Sequence, residues 1–166
     1  AVLEFLDGSF LRLVEAPVPA GTSAVLLVDL EGDDAKEIAG RAASLQAALT
    51  ALGPGVTEAA VAVDPAAIHE LWRIRHGASP RLAALTDGRQ SMQIIEDGCV
   101  PPAMLGRYLD AVDAACDAAR IDAVMFGHAG DGHVHVNLLP NLRDADWIDR
   151  CRSVYEAVAA ALLALG

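Results

Sequence analysis

The residues best equipped for chemistry lie in one stretch, Gly127-His128-Ala129-Gly130-Asp131-Gly132-His133-Val134-His135-Val136-Asn137. It gathers three of the chain's five histidines within eleven residues and sets glycines among them. Imidazole nitrogens ligate divalent metals, and a catalytic zinc usually takes three protein ligands and keeps one position for water or substrate. Two or three histidines converging here suggest such a site. The plainer alternative is a polar hairpin face whose histidines only hydrogen-bond.

Two apolar runs must position these side chains: Ala123-Val124-Met125-Phe126 before the stretch and Val134 to Leu139 within and after it. Both read as strands, with Asp131-Gly132 as a turn dipeptide closing a β-hairpin between them. Side chains alternate faces along a strand. His133, His135 and Asn137 then share one face, while Val134, Val136 and Leu138 share the core face. His128, at the end of the first strand, reaches over the turn toward the polar face.

The remaining elements follow from periodicity and punctuation. Ala1 to Leu6 reads as a strand, Phe10 to Pro19 as turn-like, and Ala24 to Leu30 as a central strand. Asp33 or Asp34 caps a helix with apolar positions at Ile38, Ala42, Leu45 and Leu49, and Gly53-Pro54-Gly55 stops it. Thr57 to Val63 reads as a further strand. Asp64-Pro65, a cap followed by proline, opens a helix that sets Ile68, Leu71, Trp72 and Arg75 on one side and ends near Gly77 or Pro80. Arg81 to Gln90 reads as a loop with room for a helical turn, and Ser91 to Ile95 as a strand. Helices from Pro101-Pro102 to about Arg120, and from Asp144 or Asp146 onward, complete the chain. The expected class is α+β: a mostly antiparallel sheet with helices packed on one face and ferredoxin-like elements.

Composition narrows the function. At 166 residues and 54% hydrophobic, the chain has room for one domain with a real core, and the low aromatic content, 4%, implies small aliphatic packing. The formal net charge of -11 argues against nucleic acid and against an anionic membrane surface. It leaves an anionic small molecule open if a few arginines focus on the site. Cys99, Cys116 and Cys151 are scattered and odd in number, which suggests buried thiols in a cytoplasmic setting. No signal peptide and no transmembrane segment is legible.

Arg75 is a candidate for holding a carboxylate through two parallel hydrogen bonds, against the alternative of a solvated helical arginine. Glu96-Asp97 ends a strand, and its carboxylates are candidates to orient an imidazole, or else a solvated pair.

Taken together, these residues resemble a known family. Phe126-Gly127-His128-Ala129-Gly130-Asp131-Gly132-His133-Val134-His135-Val136-Asn137 resembles the FGHxGDGNxHxN signature of the FAD-linked oxidase C-terminal domain. That is the substrate or cap domain of the D-lactate, glycolate and D-2-hydroxyglutarate dehydrogenase group in the vanillyl-alcohol-oxidase flavoprotein superfamily. Leu71-Trp72-Arg73-Ile74-Arg75 resembles its LWxxR element, and Glu96-Asp97-Gly98-Cys99-Val100-Pro101 its ED-x-x-x-P strand end. The long histidine motif is the specific one; the other two are short.

The resemblance implies roles. His128 and His135 match metal-binding histidines, for zinc or manganese. Asn137 and Arg75 match positions that contact the substrate carboxylate. His133, Asp97 and Asp131 stand as supporting residues around them. The metal would polarise the 2-hydroxyl while hydride leaves C2 for the flavin. The implied partners are a 2-hydroxy acid and an FAD-binding domain of the same full-length chain, with the protein cytoplasmic or peripheral to the membrane.

There are departures. His133 stands where the signature has asparagine, and Ile95 where some members carry a lysine. The family continues into a GEHG-type segment that supplies an acidic metal ligand. Residues 1–166 are therefore expected to be a single domain cut at both ends, lacking that segment and the FAD-binding domain. Such a segment is expected to hold no stoichiometric FAD and to bind metal weakly. The residues also admit two rival readings. One is a stand-alone ferredoxin-like binding module without redox activity. The other is a flavoenzyme of the alkyl-glycerone-phosphate synthase or aryl-alcohol oxidase kind.

Overall fold

The computed structural model describes residues 1–56, 58–96 and 98–166. Five strands form one sheet in the order β2-β1-β4-β5-β3, where β1 is Val2–Asp7, β2 Ala24–Asp29, β3 Met92–Ile95, β4 Asp122–Gly127 and β5 His135–Leu139. Every pairing is antiparallel. The α+β class with an antiparallel sheet is as the sequence predicts.

One face of the sheet is covered by two long helices, α5 (Leu105–Ala119) and α6 (Trp147–Leu165). Their inward stripes, Tyr108, Val112 and Cys116 on α5 and Cys151, Val154 and Val158 on α6, pack on Ile95, Met125, Val134, Val136 and Leu138. The i, i+4 spacing of these residues, rather than intrinsic propensity, holds the helices down. Cys116 and Cys151 are core residues here, both thiols free, and burial pushes the Cys116 pKa up to about 12.

The opposite face carries a smaller core. Leu6, Phe10, Leu11, Leu27, Val124, Phe126 and Leu139 cluster there with Leu82. Phe10 and Leu11 belong to α1 (Gly8–Leu13), in a segment read from the sequence as turn-like. The signal lay in Asp7, whose carboxylate accepts a 2.6 Å hydrogen bond from the Phe10 amide and caps the helix. Trp72 and Ile74 of α3 (Pro65–His76) pack against this core, and a short helix, α4 (Ala78–Ala83), begins before the Arg81 to Gln90 loop in which the sequence left room for a helical turn. Asp64 caps α3 through the amides of Ala66 and Ala67, with Pro65 at its first position, as read.

Two strand assignments are corrected. Residues 58–63 adopt no strand, and Thr57 lies outside the described residues; Val61 and Val63 stay exposed. Ala24 to Leu30 forms an edge strand rather than a central one, because β2 has only β1 beside it among the described residues. Its pattern is one-sided: Leu27 is buried while Leu26 is 49% exposed. The apolar stripe of α2 (Ala35–Ala51) matches the predicted positions, capped by Asp34, but none of its residues is fully buried.

Candidate functional site

The site grows from the end of β4 and the start of β5. Register pairs Phe126 with His135 and Val124 with Asn137. His135 and Asn137 therefore lie on the face opposite Val134, Val136 and Leu138, as alternation predicts. The connection is not the two-residue hairpin read from Asp131-Gly132. It runs from His128 to Val134 through a short 3-10 turn at Ala129–Asp131, and Gly132 leaves that turn in the left-handed conformation at φ 70°.

Two glycines make this loop feasible. A Cβ on Gly132 would collide with the Val100 carbonyl, and Val100 in turn donates its amide to the Gly132 carbonyl at 3.0 Å. At Gly127, with φ 156°, a Cβ would lie 2.8 Å from the His133 carbonyl oxygen. The His128 carbonyl accepts the amides of Asp131 and His133 at 3.0 and 3.1 Å. The glycine spacing thus folds His128 back over His133 and His135, with the backbone satisfied locally.

The three rings cluster as a result. Centroid separations are 4.7 Å for His133–His135, 5.5 Å for His128–His135 and 5.6 Å for His128–His133. One ring nitrogen from each lies within 4.8 Å of the others. Nitrogens around a tetrahedral zinc sit roughly 3.4 Å apart, so modest side-chain adjustment closes the set.

The outer nitrogens are held. His133 Nε2 lies 2.8 Å from the Glu96 carbonyl oxygen. A carbonyl only accepts, so in the neutral ring Nε2 carries the proton and Nδ1 keeps its lone pair. His128 Nδ1 donates to the carboxylate of Glu4, which leaves Nε2 free. The second nitrogen of a metal-bound histidine is characteristically held in this way, by a carboxylate or a backbone carbonyl. His135 Nδ1 is buried and has no partner among the described residues. Its pKa is lowered, first by burial and then by His133, His128 and Arg75, which favours the neutral ring that ligation requires. The donor set fits a divalent cation.

Glu4 is the residue that sequence reasoning missed. It is 3% exposed, on β1, and ties two site residues together. Oε2 accepts from Arg75 Nε at 2.8 Å, and Oε1 accepts from His128. Burial raises its pKa, but the hydrogen bonds and charges of Arg75 and His128 outweigh that and hold it below the ordinary value. The signal was present: in Val2-Leu3-Glu4-Phe5-Leu6, position 4 shares a face with Leu6, so a carboxylate points toward the core.

Arg75 also lies over the Phe126 ring, 4.5 Å from its centroid. Among the described residues only its Nε is engaged, by Glu4, which leaves its terminal nitrogens for an anion. Asn137 is fully buried; its Oδ1 accepts from Ser91 Oγ at 3.1 Å, and its Nδ2 has no partner among the described residues. An orphaned amide donor suits an oxyanion.

The other expected residues divide. Asp97 lies outside the described residues. Asp131 is exposed; its backbone carbonyl accepts from Cys99 Sγ, and its carboxylate has no ion pair among the described residues. For Glu96, it is the backbone carbonyl rather than the carboxylate that orients an imidazole. Ile95 is buried in the core on the other face. Two surface concavities lie around Asp122 and Arg89, at the far end of β4, away from the histidines.

An antiparallel α+β domain that presents imidazoles, a guanidinium and an amide on one sheet face is equipped to bind a small oxyanion beside a cation. This chain belongs to the family of FAD linked oxidases, C-terminal domain, matched over residues 1–166. It is 27% identical over its whole length to the glycolate oxidase subunit GlcD of Bacillus subtilis, of which it spans 35%. It is 31% identical over 134 residues, 79% of the chain, to a D-2-hydroxyglutarate dehydrogenase of Xanthomonas citri pv. viticola, of which the match covers 27%. It is 30% identical over 111 residues, 67% of the chain, to a probable mitochondrial D-lactate dehydrogenase of Danio rerio, with 22% of that protein covered. The chain thus spans about a third or less of the relatives it matches. No helix among the described residues is long and apolar enough to cross a membrane.

Proposed function

We propose that this chain is the substrate-binding part of an FAD-dependent dehydrogenase that oxidises a D-2-hydroxy acid such as lactate, glycolate or 2-hydroxyglutarate. The single observation that carries the reading is the convergence of Arg75, Asn137 and the three histidines on one sheet face. Membership in the FAD-linked oxidase family supports it, and so do the names of the relatives. An FAD-binding domain of the same full-length protein would complete the enzyme, at a cytoplasmic or peripheral location.

Arg75 binds the substrate carboxylate with its terminal nitrogens, positioned by the Glu4 bond at Nε and the Phe126 ring beneath it. Asn137 donates Nδ2 to the same carboxylate. His128 and His135 would hold a divalent cation, zinc or manganese, whose chemistry would act on the 2-hydroxyl. When bound, the cation supplies Lewis acidity toward that hydroxyl and FAD supplies the hydride acceptor. Glu4 fixes the His128 tautomer and neutralises part of the Arg75 charge.

The test is anaerobic titration of the full-length protein. D-2-Hydroxy acids should bleach the flavin absorbance and their L-enantiomers should not. Arg75→Lys should raise KM at least about tenfold, because a lysine cannot reproduce a forked contact. Flavin reduction only by aryl alcohols, or by none of these acids, would overturn the reading.

A further inference from the structure

His133 is the one site residue that departs from the resembled signature, and its surroundings give the departure a chemical meaning. Its ring packs 4.7 Å from that of His135 and 5.6 Å from that of His128. Its backbone is fixed on both sides, by the hydrogen bond its amide donates to the His128 carbonyl and by an antiparallel bridge to Cys99. Its Nε2–H is occupied by the Glu96 carbonyl. Only Nδ1 retains a lone pair. His128 shows the same pattern with opposite nitrogens, outer Nδ1 bound to Glu4 and Nε2 free.

We propose that His133 is a third protein ligand of the metal site, donating through Nδ1, so that the ligand set of this chain is three imidazoles. The inference rests on the reading of His128 and His135 as metal ligands. An asparagine at this position offers a weaker amide donor, whereas the imidazole raises the protein ligand count to three within residues 128–135. Three neutral nitrogens select borderline ions such as zinc and cobalt over manganese, which prefers oxygen donors. The outer partners, Glu4 and Glu96, come from β1 and the end of β3, so both strands that flank the β4–β5 pair orient the ligands.

The experiment measures zinc and cobalt content and affinity in the purified protein, with His133→Asn and His135→Ala beside it. Circular dichroism confirms that each variant is folded. The expected result is about one equivalent of metal in the unaltered protein. His133→Asn should weaken affinity at least about tenfold and change the cobalt visible spectrum, and metal should be lost in His135→Ala. Nitrogen-15 shifts of the His133 ring should place the zinc on Nδ1. Metal bound and lost in His135→Ala, with affinity in His133→Asn unchanged within twofold, overturns this inference and leaves the two-histidine reading standing. No metal in the unaltered protein, or uptake indifferent to His135→Ala, overturns both.

Discussion

The two faces of β5 differ as much as any two regions of this molecule. Val134, Val136 and Leu138 point into a close-packed apolar core under α5 and α6, all at most 1% exposed. One residue away along the same strand, His135 and Asn137 point into a region rich in polar groups. Two of the three unpartnered buried polar atoms found among the described residues belong to these two side chains. An orphaned buried polar atom costs about 1–3 kcal/mol, and this face carries two of them where the apolar core carries one, Tyr108 Oη. The apolar face carries the stability that lets its neighbour keep unsatisfied groups for a ligand.

The largest effect should separate the faces most cleanly. Leu138→Ala removes a fully buried side chain and should cost about 3 kcal/mol in urea unfolding. Metal affinity of the folded protein should stay unchanged. A loss of metal without a loss of stability would erase the division between the faces.

Glu4→Ala should cost about 2 kcal/mol. It strips the partner from a guanidinium that is itself only 20% exposed, and the cost is reduced from that of a fully buried pair by this access to water. Unlike Leu138→Ala it should also weaken metal binding, since His128 loses the carboxylate that fixes its tautomer. Equal metal affinity before and after the change would argue that Glu4 is structural only.

Asp7, where β1 ends and α1 begins, gives a pH signature. Burial raises its carboxyl to about 6, from 3.8, against the lowering effect of the Phe10 and Met125 amides. The folded state therefore binds this proton more tightly than the unfolded state. The group's contribution to stability is fully present below pH 4 and declines as the pH rises through 6. Asp7→Asn keeps a capping oxygen, removes the buried charge, and should gain about 1 kcal/mol at pH 7.5 with no gain at pH 3.5. Unfolding curves at the two pH values decide it; a gain at pH 3.5 alone would reverse the sign.

The smallest stability change belongs to Asn137→Leu, a near-isosteric replacement that removes an orphaned donor. It should shift stability by less than about 1 kcal/mol. Substrate KM should nonetheless rise at least about tenfold. A stability loss above 2 kcal/mol would mean that Asn137 belongs to the structural half of the comparison.

Much of this was legible without coordinates. Alternation from Val134 to Leu138 assigned the two faces, and Asp64-Pro65 and Asp34 opened helices where their caps predict. The α1 helix was hidden by its brevity, since six residues show less than two turns of period. Residues 57–63 resembled a strand in pattern, but over 58–63 the pattern found no partner to pair with. The loop after β4 was misjudged because Asp-Gly is compatible with several turns, and the collision that a Cβ on Gly132 would suffer arises only when Val100 is brought beside it.

By itself the sequence determined which side chains share a strand face and that glycines must separate the histidines, because both follow from local backbone geometry. It did not determine that Glu4, Arg75 and His128 meet. Glu4 lies 71 residues from Arg75 and 124 from His128. Only the pairing of β1 with β4, with α3 laid against the smaller core, brings the carboxylate between the guanidinium and the imidazole. The physical reason is that a buried charge is stable only where an opposite charge and hydrogen-bond donors meet it, and which groups do so is a property of the packed sheet.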